Sequence, residues 1–284
     1  MNNFEQIVEE KSTKVIKELF FHVGLAKTGS TFLQNRFFHK LKGIRYIHTS
    51  KFYRYNSIIK QSNENQLLFS REFDRQFFDE TLKIAEKYPY AKIIIVLRSN
   101  EKWIASQYRR YVKNGGSRSF ENFINIKTNK GIWKIEEALF LPKLKFLTRH
   151  FNNPPLILFY EEFKENPHKV FRKIADYTNS DYDKNSINLK PKHKSYSDKQ
   201  LLFIRKLTRK FYKKDPYEFT DKEVTWLKYR SRWFLLHIFL YLAKFIPMRF
   251  EEELISKKQL LEYESFYRKD WEQCLEFTKE NSVF

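Results

Sequence analysis

Leu19-Phe20-Phe21-His22-Val23 runs directly into Gly24-Leu25-Ala26-Lys27-Thr28-Gly29-Ser30-Thr31, and this stretch decides the fold. The first five residues read as a short buried strand. After the loop, Phe32, Leu33, Phe37 and Leu41 share one apolar face at helical spacing. The unit is therefore strand, loop, helix. The chain has only 6 glycines, so two of them within one loop is informative placement. Such a loop can turn its backbone N–H groups inward while the helix N-terminus adds partial positive charge, which together hold an anion. Lys27 supplies a cation, and Thr28, Ser30 and Thr31 supply hydroxyl groups. The competing reading is an ordinary strand-to-helix turn with an exposed lysine.

Outward from this unit the pattern repeats. Gln66 to Phe69 reads as a core strand, followed by a helix from Phe73 to Tyr88. Lys92 to Leu97 is the clearest strand, because β-branched residues run continuously as they do when both faces are covered. A helix is expected from Glu101 to Asn114, stopping near Gly115 and Gly116. Another is expected from Ile132 to His150, kinked or divided at Pro142. Leu156 to Tyr160 reads as a further strand, and Asn166-Pro167 as the cap and first turn of a helix to Tyr177. This alternation predicts an α/β fold of three layers, a parallel sheet between flanking helices. Beyond Tyr177, Ser197 with Gln200, Thr220 with Glu223 and Ser256 with Gln259 have capping-box spacing, so the last third should be helical. One domain over residues 1–284 is expected, with an α/β core at about 19–180 and a helical extension over 181–284.

Composition sets the class. An apolar fraction of 42%, with 29 Phe and 17 Tyr, is enough for a packed core and far from the signature of disorder. A formal net charge of +20 should attract anions: nucleotides, acidic glycans, nucleic acid or anionic membranes. The single Cys274 rules out an internal disulfide framework, and no Cys/His spacing resembles a zinc site. Met1 to Lys17 mixes charges without a secretory apolar run, so a cytoplasmic location is expected. Trp233 to Met248 is the most apolar stretch, but His237 and Lys244 interrupt it and it is shorter than the roughly 20 residues of a membrane span. A buried core helix is the favoured reading. Preceded by Lys228, Arg230 and Arg232, it could instead lie against a partner or on an anionic membrane surface, peripherally and from the cytoplasmic side.

The order of residues in the loop carries the chemistry. A nucleoside-triphosphate loop, G-x-x-x-x-G-K-[ST], places its lysine after the second glycine, whereas here Lys27 precedes Gly29. Lys-Thr-Gly-Ser-Thr resembles the 5′-phosphosulfate loop of the sulfotransferase family. In that family the 3′-phosphate is held by an arginine ending a core strand and a serine eight positions later on the next helix. Arg98 and Ser106 stand at that spacing, and a guanidinium fork with a hydroxyl suits phosphate oxygens. Leu156-Ile157-Leu158-Phe159-Tyr160-Glu161-Glu162 is similar to the family's later core strand and its acidic exit. The resemblance covers about Leu19 to Tyr177. It implies a sheet related to nucleotide kinases, 3′-phosphoadenosine 5′-phosphosulfate as sulfonate donor, adenosine 3′,5′-bisphosphate as product, and no metal.

Sulfonate transfer to a hydroxyl also needs a base for the acceptor proton and a cation at the departing phosphate. Lys27 is the expected cation. Ser70-Arg71-Glu72 follows a predicted strand and resembles the Ser-x-Glu segment of the family's glutamate-using members, so Glu72 is the expected base. The competing role for Glu72 is pairing with Arg71, Arg75 or another surface cation, and the alternative base is His48. The glutamate subgroup and the basic surface point to a carbohydrate acceptor, a polysaccharide or glycolipid, with a small alcohol, phenol or lipid as the alternative. From Ser186 to Lys214, eight lysines and two arginines face one aspartate. Within that run Lys190, Lys192, His193, Lys194 and Ser195 could close over the donor, guide an acidic acceptor or form a solvated basic face. The family's late Arg-Lys-Gly segment has no counterpart, since no glycine follows Gly131. A nucleotide-dependent kinase would need a different loop and a metal-binding carboxylate. A nucleic-acid or membrane-binding module would leave the paired phosphate motifs unexplained.

Overall fold

The computed structural model describes residues 17–190, 196–211, 226–245 and 250–284. Strands β1 (Glu18–His22), β2 (Arg45–Ile47), β3 (Gln66–Ser70), β4 (Lys92–Leu97) and β5 (Leu156–Phe159) form one parallel sheet of 5 strands in the order β2-β3-β1-β4-β5. The α-helices among the described residues are α1 (Ser30–Phe32), α2 (Tyr55–Gln61), α3 (Phe77–Lys87), α4 (Asn100–Lys113), α5 (Phe120–Phe123), α6 (Leu141–His150), α7 (Tyr160–Glu165), α8 (Pro167–Tyr177), α9 (Asp198–Phe211), α10 (Trp226–Leu242) and α11 (Lys257–Asn281).

Alternate strand residues enter two cores. Phe21, Leu67, Phe69, Ile93 and Ile95 pack with Trp103, Ile104 and Tyr108 of α4, with α3 and with α6. Phe20, Leu68, Ile94, Val96 and Leu158 pack on the other face with Leu33, Phe37 and with Phe171 and Ile174 of α8. Both faces are covered, which is why the strands read as unbroken apolar runs. The three-layer parallel architecture is the one expected from the sequence.

Local differences have identifiable causes. The expected helix after Thr31 is one α turn, then a π turn over Leu33–Phe37 and a 3₁₀ turn over Phe38–Lys40. Asn35 Nδ2 donates to the Thr31 carbonyl at 2.7 Å, taking the acceptor an α-helical ladder would use. Helix α3 begins at Phe77 rather than Phe73 because the preceding backbone is bonded to the loop after β1: Arg71 N–H reaches the His22 carbonyl at 2.9 Å and Phe73 N–H the Gly24 carbonyl at 3.1 Å. The stretch from Ile132 divides as expected, with Pro142 in the first turn of α6.

The C-terminal third is helical where described. Ser197 with Gln200 and Ser256 with Gln259 make reciprocal capping bonds ahead of α9 and α11; Thr220 with Glu223 lies outside the described residues. Helix α11 is built into the sheet's core. Tyr263, Tyr267 and Cys274 join the first cluster. The Asp270 carboxylate accepts from Asn100 Nδ2 at 2.8 Å and from the N–H groups of Phe140 and Leu141 at 2.9 and 3.1 Å.

The favoured reading of Trp233 to Met248 as a buried core helix is corrected. Of the described part, Leu236, Leu240 and Ala243 are buried, while Trp233, Phe234, Ile238, Tyr241, Leu242 and Phe245 are exposed. A helix apolar on every side can be covered on one stripe and leave the rest uncovered. None of the described helices is long and apolar enough to cross a membrane.

Candidate functional site

Strand β1 is central, flanked by β3 and β4, and the crevice at the carboxyl edge where strand order reverses is the usual ligand position in such sheets. The sequence-derived residues arrive there from three adjacent strands. The loop 24–31 leaves β1, Glu72 follows β3, and Arg98 follows β4. Ser106 lies half-buried in the second turn of α4, on the helix face it shares with Lys102, Arg109 and Arg110 at i−4, i+3 and i+4.

The loop is held by specific bonds. Lys27 has φ of 71° and Gly29 of 94°. Gly29 adopts that region without cost, whereas a lysine there is held against a strain of about 1–2 kcal/mol. A Cβ on Gly29 would stand 3.3 Å from the Phe163 ring, and one on Gly24 would stand 2.6 Å from His22 Nε2. The Thr28 and Ser30 hydroxyls, both buried, donate to the Leu25 carbonyl at 2.7 and 3.0 Å, so in this arrangement they brace the loop. Thr31 is exposed.

Three supports were not legible as site residues. Asp74 Oδ1 accepts from the Ala26 N–H at 3.0 Å and from Gln107 Nε2 at 3.2 Å, while its Oδ2 pairs with Arg110 at 2.7 Å. Trp103 Nε1 donates to the Ala26 carbonyl at 2.9 Å, tying α4 to the same peptide. Beneath Gly24, His22 Nδ1 and Ser70 Oγ are 2.7 Å apart, and Gln34 Nε2 donates to that hydroxyl at 3.0 Å. Burial pushes the His22 imidazole down to about 3, so it is neutral. No spacing rule marks these residues. Each acts by reaching a backbone or side chain that only the fold brings near.

Electrostatics distinguish the central groups. Burial, then the Arg110 and Lys113 charges, draw the Lys27 ammonium below the ordinary lysine range, against Glu72 and Asp74. Burial, then the Asp74 charge, raises the Glu72 carboxyl above the ordinary carboxylate range, against Arg110, Lys27 and Arg71. Each of Lys27 and Glu72 therefore feels the other. Among the described residues neither closes an ion pair. Arg75 is engaged by Glu137 at 3.2 Å, and the Arg71 guanidinium lies 4.9 Å from the centre of the Tyr53 ring.

Arg98 packs its guanidinium 4.6 Å from the centre of the Tyr160 ring and donates from one terminal nitrogen to the Lys27 carbonyl at 3.4 Å. Its buried Nε has no partner among the described residues. An unsatisfied guanidinium nitrogen beside an anion-shaped loop fits a phosphate group. His48 is placed differently. It is exposed, follows edge strand β2, and its Nδ1 accepts from the Ser50 N–H at 3.3 Å as a helix cap. Lys190 is exposed, and residues 192–195 lie outside the described residues. Among the described residues no group of His, Cys, Asp and Glu could hold a metal ion.

A family model described as "Sulfotransferase domain" matches residues 13–223. The chain belongs to the sulfotransferase domain family. Sulfotransferases of this family use 3′-phosphoadenosine 5′-phosphosulfate. Solved structures similar to this chain include a sulfotransferase from Alicyclobacillus acidocaldarius, at 18% identity and a TM-score of 0.49 over 62% of this chain and 87% of that one. Another is mouse sulfotransferase SULT7A1 complexed with PAP, at 16% identity and a TM-score of 0.48 over 94% and 89%. No curated protein matches the chain.

Proposed function

We propose that this sulfotransferase works on a hydroxyl of a carbohydrate, a polysaccharide or glycolipid, in the cytoplasm, with Glu72 as base and Lys27 as the cation at the departing phosphate. The observation that carries the assignment of base and cation is the Glu72 carboxyl, half-buried, without an ion pair among the described residues and within electrostatic reach of Lys27 across the edge of β1 and β3. When bound, the donor supplies the sulfonate and departs as adenosine 3′,5′-bisphosphate.

The chain's own groups then have separate tasks. A carboxylate whose proton affinity is raised by burial is a better proton acceptor near neutral pH than an exposed one, so a Glu72 oxygen takes the acceptor's hydroxyl proton. The Lys27 ammonium, fixed by the strained loop, stabilises charge on the departing phosphate oxygen. Backbone N–H groups of 27–31 would hold the 5′ end of the donor. Arg98 and Ser106 hold its 3′-phosphate, with the unpartnered Arg98 Nε as one available donor. Asp74 and Trp103 keep the Ala26 peptide, and with it Lys27, in register.

The test is a transfer assay on a panel of glycans, phenols, sterols and simple alcohols, with mass detection of an added sulfonate. Sulfonation of glycan hydroxyls, absent in Glu72→Gln, is the expected result. Sulfonation confined to phenols or other small alcohols would replace the acceptor class, and full activity in Glu72→Gln would move the base elsewhere.

A further inference from the structure

We infer that the outer face of α10 is a docking surface for an anionic lipid bilayer. Trp233, Phe234, Ile238, Tyr241, Leu242 and Phe245 are exposed on this helix and its last turn, with Phe234, Tyr241 and Phe245 each exposing 60% or more of their surface. A cluster of exposed large apolar side chains within thirteen residues of one segment is a costly surface to leave in water and marks an interaction site.

The charges choose the occupant. From Trp226 to Phe250 the sequence carries Lys228, Arg230, Arg232, Lys244 and Arg249, and no Asp or Glu. A second copy of the chain would place this cationic segment against itself in a two-fold interface, where like charges oppose association. An anionic bilayer meets both requirements: acyl chains accept the apolar groups, and headgroups attract the cations. Trp and Tyr suit the boundary, since each has an apolar body and one polar tip. The helix is not one that crosses a membrane, so it lies along the surface.

Its attachment to the fold supports this placement. Leu236, Leu240 and Ala243 form the buried stripe. Arg232 donates to the Gly115 carbonyl at 3.1 Å, and Gln200 Nε2 of α9 donates to the Leu240 carbonyl at 2.8 Å. Gly115 is just past the end of α4, nine residues from Ser106, or about 13 Å at the helical rise. Docking uses none of the residues assigned to the donor site, and it stands whether or not the acceptor is a glycan.

The test is co-sedimentation of the full chain with phosphatidylcholine vesicles with and without phosphatidylglycerol at physiological salt. The comparison variant is Phe234→Ser/Tyr241→Ser/Phe245→Ser, which keeps the net charge at +20. Wild type is expected to bind the phosphatidylglycerol vesicles, and the variant at least about tenfold more weakly, because apolar burial is lost. Stabilisation by adenosine 3′,5′-bisphosphate should be the same in both, which confirms the variant's fold. Equal binding would assign the attraction to net charge and overturn the proposal. So would a wild-type dimer in sedimentation that the variant lacks. As a second measurement, brominated acyl chains should quench wild-type tryptophan emission and quench it less in Trp233→Phe; equal quenching in the two would also overturn it.

Discussion

The loop 24–31 and helix α10 are opposite kinds of structure within one chain. The loop's framework is fixed by directional bonds: Ala26 is bonded through both its N–H and its carbonyl, and two hydroxyls converge on the Leu25 carbonyl. In α10 the apolar residues from Trp233 on are buried along a single stripe, and most of the others are exposed. The loop's directional bonds permit one arrangement, and they hold a lysine in a left-handed conformation for it. Apolar burial has no such direction, so the composition of α10 says that something must cover it without saying what.

The difference can be broken most sharply at the loop. Lys27→Ala and Glu72→Gln should each reduce transfer by about 10²–10⁴-fold or more in a single-turnover assay, with Glu72→Gln retaining affinity for adenosine 3′,5′-bisphosphate. On α10 the contrast is between faces. Leu240→Ala, in the buried stripe, should cost about 2–5 kcal/mol in denaturant unfolding, whereas Phe234→Ser should stay within about 0.5 kcal/mol. Asp74→Ala should weaken adenosine 3′,5′-bisphosphate binding by about tenfold or more, because it frees the Ala26 N–H and removes the carboxylate that faces Arg110. Asp74→Asn, which keeps an acceptor for Ala26, should recover part of that loss; equal affinity in all three forms would remove Asp74 from the loop's support.

The smallest effect is the pH profile. A base must be ionised, so kcat/KM should rise with pH through the Glu72 value, on the high side of the ordinary carboxylate range. Lys27 must be protonated, so activity should fall again as pH passes a lysine value below the ordinary one. Glu72→Gln should remove the acid limb from the residual rate; persistence of that limb would assign it to another group.

Much of the fold was legible because its signals are local. Strands β1, β3, β4 and β5 are apolar runs bounded by turn residues, and the caps at Asn166, Ser197 and Ser256 act over three residues. The gathering of Lys27, Glu72 and Arg98 could be anticipated because parallel strands deliver their following residues to one edge. The roles of Asp74, Trp103 and His22 could not. Asp74 meets Ala26 across 48 positions and Trp103 meets it across 77, and no local pattern records those contacts. The burial of α10 was misjudged for the opposite reason: its apolar content is local, but the number of neighbours available to cover it is a property of the whole fold.

The central claim, that the loop with Arg98 and Ser106 forms one donor site, is tested most directly by thermal stabilisation. Adenosine 3′,5′-bisphosphate should raise the Tm of the wild-type chain well above the effect of ATP with magnesium or of an oligonucleotide, and Arg98→Ala should abolish most of that rise. Preferential stabilisation by ATP with magnesium, or an undiminished response in Arg98→Ala, would contradict it.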